Sequence, residues 1–279
     1  TMGRVYFMSL AVILPLLLMA VLSRGSLSTS QLSPTHLVVS SETAINNLVP
    51  NGIVAIYYGY QDFRRSTNIE HASDQSGREL FEAFFGSPAA DSDLFPQFFT
   101  HTEHSALLEK NPPHVVLNLV ESMAEALLKP TFSGEINLAG ELRQHLETDY
   151  YFPRFLPAHD DTQKSLMSLL VNTEHSSISH AAYQHIPLQT SVARVFKKAG
   201  YKTLFVYSGF EELSNRSEYF KTQGFDDFIG AERLTALYPT MHNTVWGGED
   251  KFLFDEVYKQ LSNYQKGDKP LFIVTLTVT

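Results

Sequence analysis

The sequence predicts an α/β fold built on a parallel sheet, and three observations support it. Residues 115–120 and 271–278 form short, uncharged runs rich in β-branched residues, as is typical of strands covered on both faces. Residues 202–207 predict a third strand. Segments of helical periodicity separate these strands, and strands joined through helices usually pair in parallel with right-handed crossovers. Hydrophobic residues make up 43% of the chain, which is enough for a sizeable core.

The first element predicted along the chain is a transmembrane helix within residues 1–24. Residues 5–23 carry no charge and have the length needed to cross a bilayer core. A signal peptide and a buried soluble helix are the alternatives. A single Arg is a weak basic region for a signal peptide, and Pro15 suits a membrane helix better than a soluble one.

Residues 25–110 begin with a Ser-rich stretch and continue with apolar segments separated by polar ones, which predicts a linker with short helices. From residue 111 onward strands and helices alternate. The helices of this part are predicted at residues 140–146, 162–171, 191–198 and 250–261.

Glu121 lies at the carboxyl end of the first predicted strand. Ligands of open α/β sheets bind beyond the carboxyl ends of the strands, so a carboxylate there can reach a metal or a substrate. The alternative is local. Residues 122–125 fit an S-x-x-E capping box, in which Glu121 only precedes the N-cap of the next helix.

Thr162 is the second candidate, at the start of a predicted helix whose free N–H groups and dipole favour anions. Beside a divalent cation its hydroxyl would lose its proton more readily and could attack a phosphoryl or sulfuryl group. The alternative is that the Asp and Thr residues at this point only cap the helix.

Composition excludes several classes of function. The net charge of −9 argues against sequence-independent nucleic-acid binding, and the absence of cysteine excludes disulfides, thiolate metal sites and cysteine nucleophiles.

The histidines of the chain do not form a recognisable metal site. The two in HTEH lack a third metal ligand nearby in sequence, and the three histidines spaced five residues apart share no helix face. We expect all of them to be solvated: His101, His104, His175, His180 and His185.

Five segments then occur in a specific order: VVLNLVES, a Thr at a helix start, VFKKAGYKTLFVYSG, NRSEYFKTQGFDDF and WGGEDKFLFDE. This order resembles the lipoteichoic-acid-synthase-like branch of the alkaline phosphatase and sulfatase superfamily. The resemblance covers nearly the whole chain. It implies a doubly wound, alkaline-phosphatase-like α/β domain of which residues 111–279 are the N-terminal part.

The resemblance also implies roles for individual residues. Glu121 would be a metal ligand, and Thr162 would be both a metal ligand and the nucleophile that accepts phosphoglycerol or a related group. Arg216 matches a substrate-binding Arg, and Glu211 is expected near a substrate-binding Asp. The metal would be Mn²⁺, with Mg²⁺ or Zn²⁺ as substitutes. Synthases of this branch carry Trp two residues before the Arg, whereas this chain has Ser214.

The remaining ligands, an Asp–His pair and a further His, are expected beyond Thr279, so the chain by itself is expected to be an inactive fragment. The implied enzyme is anchored in the bacterial inner membrane with its catalytic domain on the periplasmic or extracellular side. Its partners would be a membrane lipid head-group donor and a cell-envelope acceptor.

Three functions follow from these residues. The first is transfer or hydrolysis of phosphate esters through a phosphothreonine, since carboxylate and hydroxyl oxygens suit a hard divalent cation. The second is sulfate-ester hydrolysis, although known sulfatases need a formylglycine made from Cys or Ser in C/S-x-P-x-R and this chain lacks that motif. The third is a membrane-anchored, catalytically inactive binding domain.

Overall fold

A computed structural model describes residues 2–24, 34–37, 39, 43–46, 48–66, 73–86, 102–128, 139–179, 183–211, 215–244 and 246–278. Within them the chain forms an α/β fold around one sheet of four parallel strands, in the spatial order β1-β4-β2-β3. The strands are β1 (Val115–Leu119), β2 (Lys202–Tyr207), β3 (Asp227–Ile229) and β4 (Leu271–Leu276). The predicted parallel sheet is confirmed.

Strand β4 lies at the centre of the described sheet. It pairs with β1 along Val115↔Phe272 to Leu119↔Leu276, and with β2 along Lys202↔Leu271 to Tyr207↔Leu276. All its residues are buried, as its uncharged and largely apolar sequence predicts for a strand covered on both faces. The carboxyl ends of β1, β2 and β4 therefore lie side by side.

Seven α-helices follow β1 in the described residues. They are α6 (Glu125–Leu128), α7 (Leu142–Thr148), α8 (Thr162–Val171), α9 (Val192–Lys198), α10 (Arg216–Thr222), α11 (Ala231–Leu237) and α12 (Asp250–Ser262). The prediction for α8 is confirmed residue for residue, and those for α9 and α12 within one residue. The helix predicted at 140–146 begins two residues later, because Gly140 adopts a left-handed conformation (φ 55°) inside a turn.

Alternate side chains of the strands pack against different helices. Phe205, Phe272 and Val274 belong to a cluster with α8, α9 and α10. Leu204 and Ile273 belong to a second cluster with α11 and α12. Both faces of the sheet are thus covered, which is the arrangement expected of a parallel α/β sheet.

Before β1, all regular secondary structure among the described residues is helical. The α-helices are α1 (Met2–Arg24), α2 (Thr43–Asn46), α3 (Gly52–Ser66), α4 (Asp74–Phe85) and α5 (Ala106–Lys110), and Pro34–Leu37 forms a 3₁₀ turn. Residues 5–23 are therefore confirmed as a helix. Among the described residues, however, no helix has both the length and the apolar character that a membrane crossing requires.

Asp226 connects three elements at the amino edge of the sheet. Its carboxylate accepts hydrogen bonds from the Thr203 main-chain N–H (3.0 Å) and hydroxyl (3.2 Å) and pairs with Lys197 at 2.6 Å. Burial alone would raise the pKa of Asp226, but the bonds and charge from Lys197 and Thr203 outweigh it and hold the pKa below its usual value. The ionised carboxylate thus stabilises the junction of α9, β2 and β3.

We predict that Asp226→Asn lowers the free energy of unfolding by about 1 kcal/mol at pH 7, because the amide keeps the shape of the side chain but loses the charged acceptor. A carboxyl whose pKa is lowered by folding stabilises the protein above its unfolded-state pKa of about 4 and loses that contribution as the pH falls through the folded-state value. Urea unfolding of both proteins between pH 7 and pH 3 should show the difference shrinking. Glu218→Gln, at an exposed ion pair with Lys221, is the control and should change little. A difference that stays constant with pH would contradict this account.

Candidate active site

A cleft of about 370 Å³ opens at the carboxyl edge of the sheet, where β1, β2 and β4 end. This is the edge at which parallel α/β sheets bind their ligands. The cleft is lined by Glu121, Ser122, Thr162, Tyr207, Arg216, Trp246, Leu276, Thr277 and Val278. Three of the four residues predicted for the site are among them.

Glu121 is held by the residues that follow the central strand. Its main-chain N–H donates to the Thr277 hydroxyl at 2.8 Å, and the Thr277 N–H donates to the Leu119 carbonyl at 3.2 Å. Ser122 then turns the chain with a positive φ of 57°, a conformation uncommon outside glycine. Helix α6 begins only at Glu125, so the residue directly before it is Ala124 and the predicted capping box is not the arrangement observed.

Thr162 is the first residue of α8, and a neighbour performs the capping. Asp161 is the N-cap, and its side chain accepts a hydrogen bond from the Lys164 N–H at 2.8 Å. The Thr162 hydroxyl instead donates to a carboxylate oxygen of Glu121, Oε2, at 2.5 Å. The fold thus joins the two residues that the sequence predicts as metal ligands.

Arg216 is the first residue of α10 and is only 6% exposed. Its Nε donates to Gln163 Oε1 at 2.9 Å, and its guanidinium carbon lies 4.8 Å from the centre of the Tyr207 ring. Two buried nitrogens of this group, Arg216 Nη1 and Gln163 Nε2, have no hydrogen-bond partner among the described residues. Buried donors without partners are costly, and an anion in the cleft would supply the missing acceptor for Arg216.

Tyr207 ends β2 and places its phenol over Gly209, where a Cβ would overlap the ring. Burial raises the pKa of Tyr207; Arg216 opposes this rise, and the charges of Glu121 and Asp250 add to it. The hydroxyl is therefore protonated at neutral pH and able to donate a hydrogen bond. The cleft presents Tyr207 and Arg216 as donors beside the carboxylate of Glu121.

Glu211 lies apart from the residues that line the cleft. Its carboxylate oxygens accept hydrogen bonds from the Gly230 N–H (3.0 Å) and the Ser217 hydroxyl (3.4 Å), contacts that hold the start of α10 against the turn before α11. A role in substrate binding stays a prediction for this residue. Ser214 lies outside the described residues.

The sequence did not single out Tyr207, Gln163, Trp246 or Thr277. Tyr207 could have been found, because it ends a predicted strand just as Glu121 follows one, and Gln163 is adjacent to Thr162. Trp246 and Thr277 reach the cleft through contacts distant in sequence, which no local pattern indicates.

The oxygens of Glu121 and Thr162 are hard donors of the kind that Mn²⁺ and Mg²⁺ prefer. Their adjacency fits two positions of such a cation's coordination sphere. In the part of the chain that the structure describes, no group of three or more His, Cys, Asp or Glu side chains could hold a metal. His175 and His185 are exposed, and His104 pairs with Glu109 at the surface; His101 and His180 lie outside the described residues.

Comparison with known proteins places these features in a family. A family model described as Sulfatase matches residues 113–279. Phosphoglycerol transferase I of Salmonella choleraesuis (strain SC-B67) is 25% identical over 226 residues, a match that covers 77% of this chain and 27% of that protein. The chain thus spans about a quarter of the length of this curated relative.

Two solved structures share the fold. One is a protein in the alkaline phosphatase superfamily from Vibrio parahaemolyticus, with a TM-score of 0.51 and 20% identity, covering 59% of this chain and 40% of that one. The other is the lipoteichoic acid synthase LtaP from Listeria monocytogenes, with a TM-score of 0.51 and 16% identity, covering 60% of this chain and 40% of that one. The parallel sheet and its flanking helices are therefore alkaline-phosphatase-like.

Proposed function

The chain belongs to the sulfatase family, and from that premise we propose that it carries part of the active site of a metal-dependent enzyme that transfers or hydrolyses phosphate esters through Thr162. One observation carries the proposal. The Thr162 hydroxyl is hydrogen-bonded to Glu121 in a cleft that also contains a buried Arg216 nitrogen with no hydrogen-bond partner in the part of the chain that the structure describes. A nucleophile, a proton acceptor and an anion-binding group thus line one cleft, as nucleophilic catalysis on a phosphate ester requires.

In the proposed first step, Arg216 and Tyr207 bind oxygens of the phosphoryl group and hold it near Thr162. Thr162 Oγ1 attacks phosphorus and forms a new O–P bond, while the bond from phosphorus to the ester oxygen breaks. The hydroxyl proton passes to Glu121 Oε2, to which it is already hydrogen-bonded. The departing alkoxide takes a proton from solvent and leaves as an alcohol.

In the second step, an acceptor alcohol or water attacks the phosphothreonine. The bond from phosphorus to Thr162 breaks, the proton held by Glu121 returns to the threonine oxygen, and the attacking hydroxyl gives its proton to solvent. A sugar or polyol acceptor makes the enzyme a transferase, and water makes it a hydrolase.

Glu121 and Thr162 are the residues that would hold the metal, for which Mn²⁺ is the first choice and Mg²⁺ or Zn²⁺ the alternatives. When bound, such a cation lowers the pKa of a hydroxyl beside it and stabilises negative charge on a phosphoryl group. A catalytic site of this kind usually takes three or more protein ligands, so these two oxygens would supply part of the set.

We propose the substrate and the location of the protein from its relatives. One relative is named a phosphoglycerol transferase, which supports phosphoglycerol or a similar head group as the transferred unit. We propose that the chain is anchored in the bacterial inner membrane with the cleft outside the cytoplasm. Its donor would be a lipid head group, and its acceptor a component of the cell envelope. In support, large apolar side chains of α1 from Val12 to Leu22 are 43–63% exposed, as expected of a helix that contacts lipid.

A sulfate ester is the less favoured substrate. Sulfatases use a formylglycine derived from Cys or Ser, whereas the hydroxyl found against Glu121 belongs to a threonine, which cannot give that aldehyde. The chain also contains no cysteine. Sulfate esters therefore serve as control substrates in the tests.

We predict that Thr162→Ala lowers phosphate-ester turnover at least 100-fold in the full-length protein, because the substitution removes the attacking oxygen. Thr162→Ser should retain part of the rate, since it restores the hydroxyl. Mass spectrometry of protein quenched during turnover should find the transferred phosphate or phosphoglycerol group on residue 162 in the wild type and none in the Ala variant. Thr148→Ala, at the exposed end of α7, is the control. A Thr162→Ala variant that keeps more than about a tenth of the activity would refute the assignment, and a binding domain would show no turnover in any variant.

We predict that Glu121→Gln weakens Mn²⁺ binding about tenfold or more, because the amide preserves the size of the side chain but removes its charge. Calorimetric titration of Mn²⁺ into the full-length protein measures the change, with Glu218→Gln as the matched surface control. Addition of a chelator should abolish activity in the wild type, and Mn²⁺ should restore it. Equal Mn²⁺ affinity in the Glu121 variant and the wild type would exclude Glu121 as a ligand.

We predict that a reporter active only outside the cytoplasm is active when fused after residue 60, because the uncharged sequence of residues 5–23 is typical of a segment that directs export of the chain after it. The same fusion without residues 5–23 is the control and should be inactive. A reporter active only in the cytoplasm that functions at residue 60 would overturn the placement.

A further inference from the structure

Trp246 lines the same cleft as Thr162 and Arg216, but it has no role in the proposed chemistry. It is the only tryptophan of the 279 residues and is 57% exposed, a large fraction for so large an aromatic side chain. An exposed aromatic beside a polar site commonly marks a place where a ligand binds.

The loop that carries Trp246 is held by hydrogen bonds on both sides of the residue. The Trp246 N–H donates to the Thr244 hydroxyl at 3.1 Å, and the Thr244 N–H donates to the Gly247 carbonyl at 2.7 Å. The Gly248 N–H donates to the Ser208 carbonyl at 2.7 Å, just beyond the end of β2. These bonds fix the backbone on which Trp246 stands.

Gly247 and Asp250 secure the same loop against the sheet. A Cβ at Gly247 would overlap the carbonyl oxygen of Ser208, and its φ of 141° is one that L side chains rarely adopt, so the close approach requires glycine. Asp250 accepts hydrogen bonds from the Ser208 hydroxyl and from the Val278 N–H (3.0 Å). The loop is thereby fastened to the residues after β2 and β4 that also shape the cleft.

The cleft therefore combines two kinds of surface. Arg216 and Tyr207 offer donors for the phosphoryl oxygens, whereas the indole of Trp246 offers an apolar face and one N–H donor. The volume of about 370 Å³ is at the small end for ligand pockets, which suits a phosphate with a short organic group better than a whole lipid. A short polyol matches the indole, because its C–H groups can pack on the ring face while its hydroxyls remain hydrogen-bonded.

We propose that Trp246 determines specificity by packing against the organic group that remains attached to the transferred phosphoryl group, so that the site prefers an ester of a small polyol over inorganic phosphate. The inference rests on the proposed function, from which it takes the phosphate site. Trp246 acts on the non-reacting part of the ligand, and its removal affects recognition of the organic group alone.

The test compares glycerol 1-phosphate with inorganic phosphate in the full-length protein, in the presence of Mn²⁺. Calorimetric titration of the wild type should show saturable binding of glycerol 1-phosphate and weaker binding of inorganic phosphate. In calorimetric titrations, Trp246→Ala should weaken binding of glycerol 1-phosphate about fivefold to tenfold and that of inorganic phosphate less than about twofold.

Trp246→Phe keeps an aromatic face and should retain most of the preference. Tyr258→Ala removes a 74% exposed aromatic residue of α12 that does not line the cleft, and should change neither affinity. Thermal unfolding of each variant checks that the fold is preserved. If Trp246→Ala weakens both ligands equally, or neither, the inference is overturned while the phosphate site stands. If wild-type protein binds neither ligand, the phosphate site fails as well, and the proposed function with it.

Discussion

The cleft depends on the central position of β4. This strand separates β1 from β2, and the residues directly after it hold the site from both sides. Thr277 accepts the N–H of Glu121, which follows β1, and the Val278 N–H donates to Asp250, which secures the Trp246 loop. Residues far apart in the chain meet here only because the parallel register of β1, β4 and β2 aligns the ends of the three strands. A shift of one residue in that register would reverse the faces of β4 and separate these contacts.

The cleft contains a buried cationic side chain, Arg216, that does not use all its hydrogen-bond donors within the described residues. Arg216 is almost fully buried, yet Nη1 lacks an acceptor among the described residues, and the Thr162 hydroxyl uses the carboxylate of Glu121 as its partner. Arg216 Nη1 lowers the stability of the fold, since a buried donor gives up its bonds to water without replacement. An anion bound near Arg216 would accept that hydrogen bond. Proteins commonly tolerate this cost where it prepares a site for its substrate.

The parts of the fold that local physics controls could be predicted from the sequence. Apolar runs of strand length identified β1, β2 and β4, and Asp161 as N-cap makes α8 begin at Thr162, as the sequence indicates. Glu121 could be predicted because parallel sheets bind ligands at one edge. Glu211 illustrates the limit, because the Gly230 N–H that its carboxylate contacts becomes its neighbour only after folding. The position of the loop that carries Trp246 depends likewise on the hydrogen bond from the Gly248 N–H to the Ser208 carbonyl, which no spacing in the sequence reveals.

The order of the strands also affects how the protein is synthesised. Strand β1 pairs with β4 alone among the described strands, and β4 follows it by about 150 residues in the chain. Ribosomes add about 5 to 20 residues per second, so β1 is synthesised roughly 8 to 30 seconds before its partner strand during translation. Long-range parallel pairing is slow, and an unpaired apolar strand can associate with other chains in the meantime. The geometry that brings Glu121 to the cleft therefore leaves the nascent chain with an unpaired apolar strand until β4 has emerged.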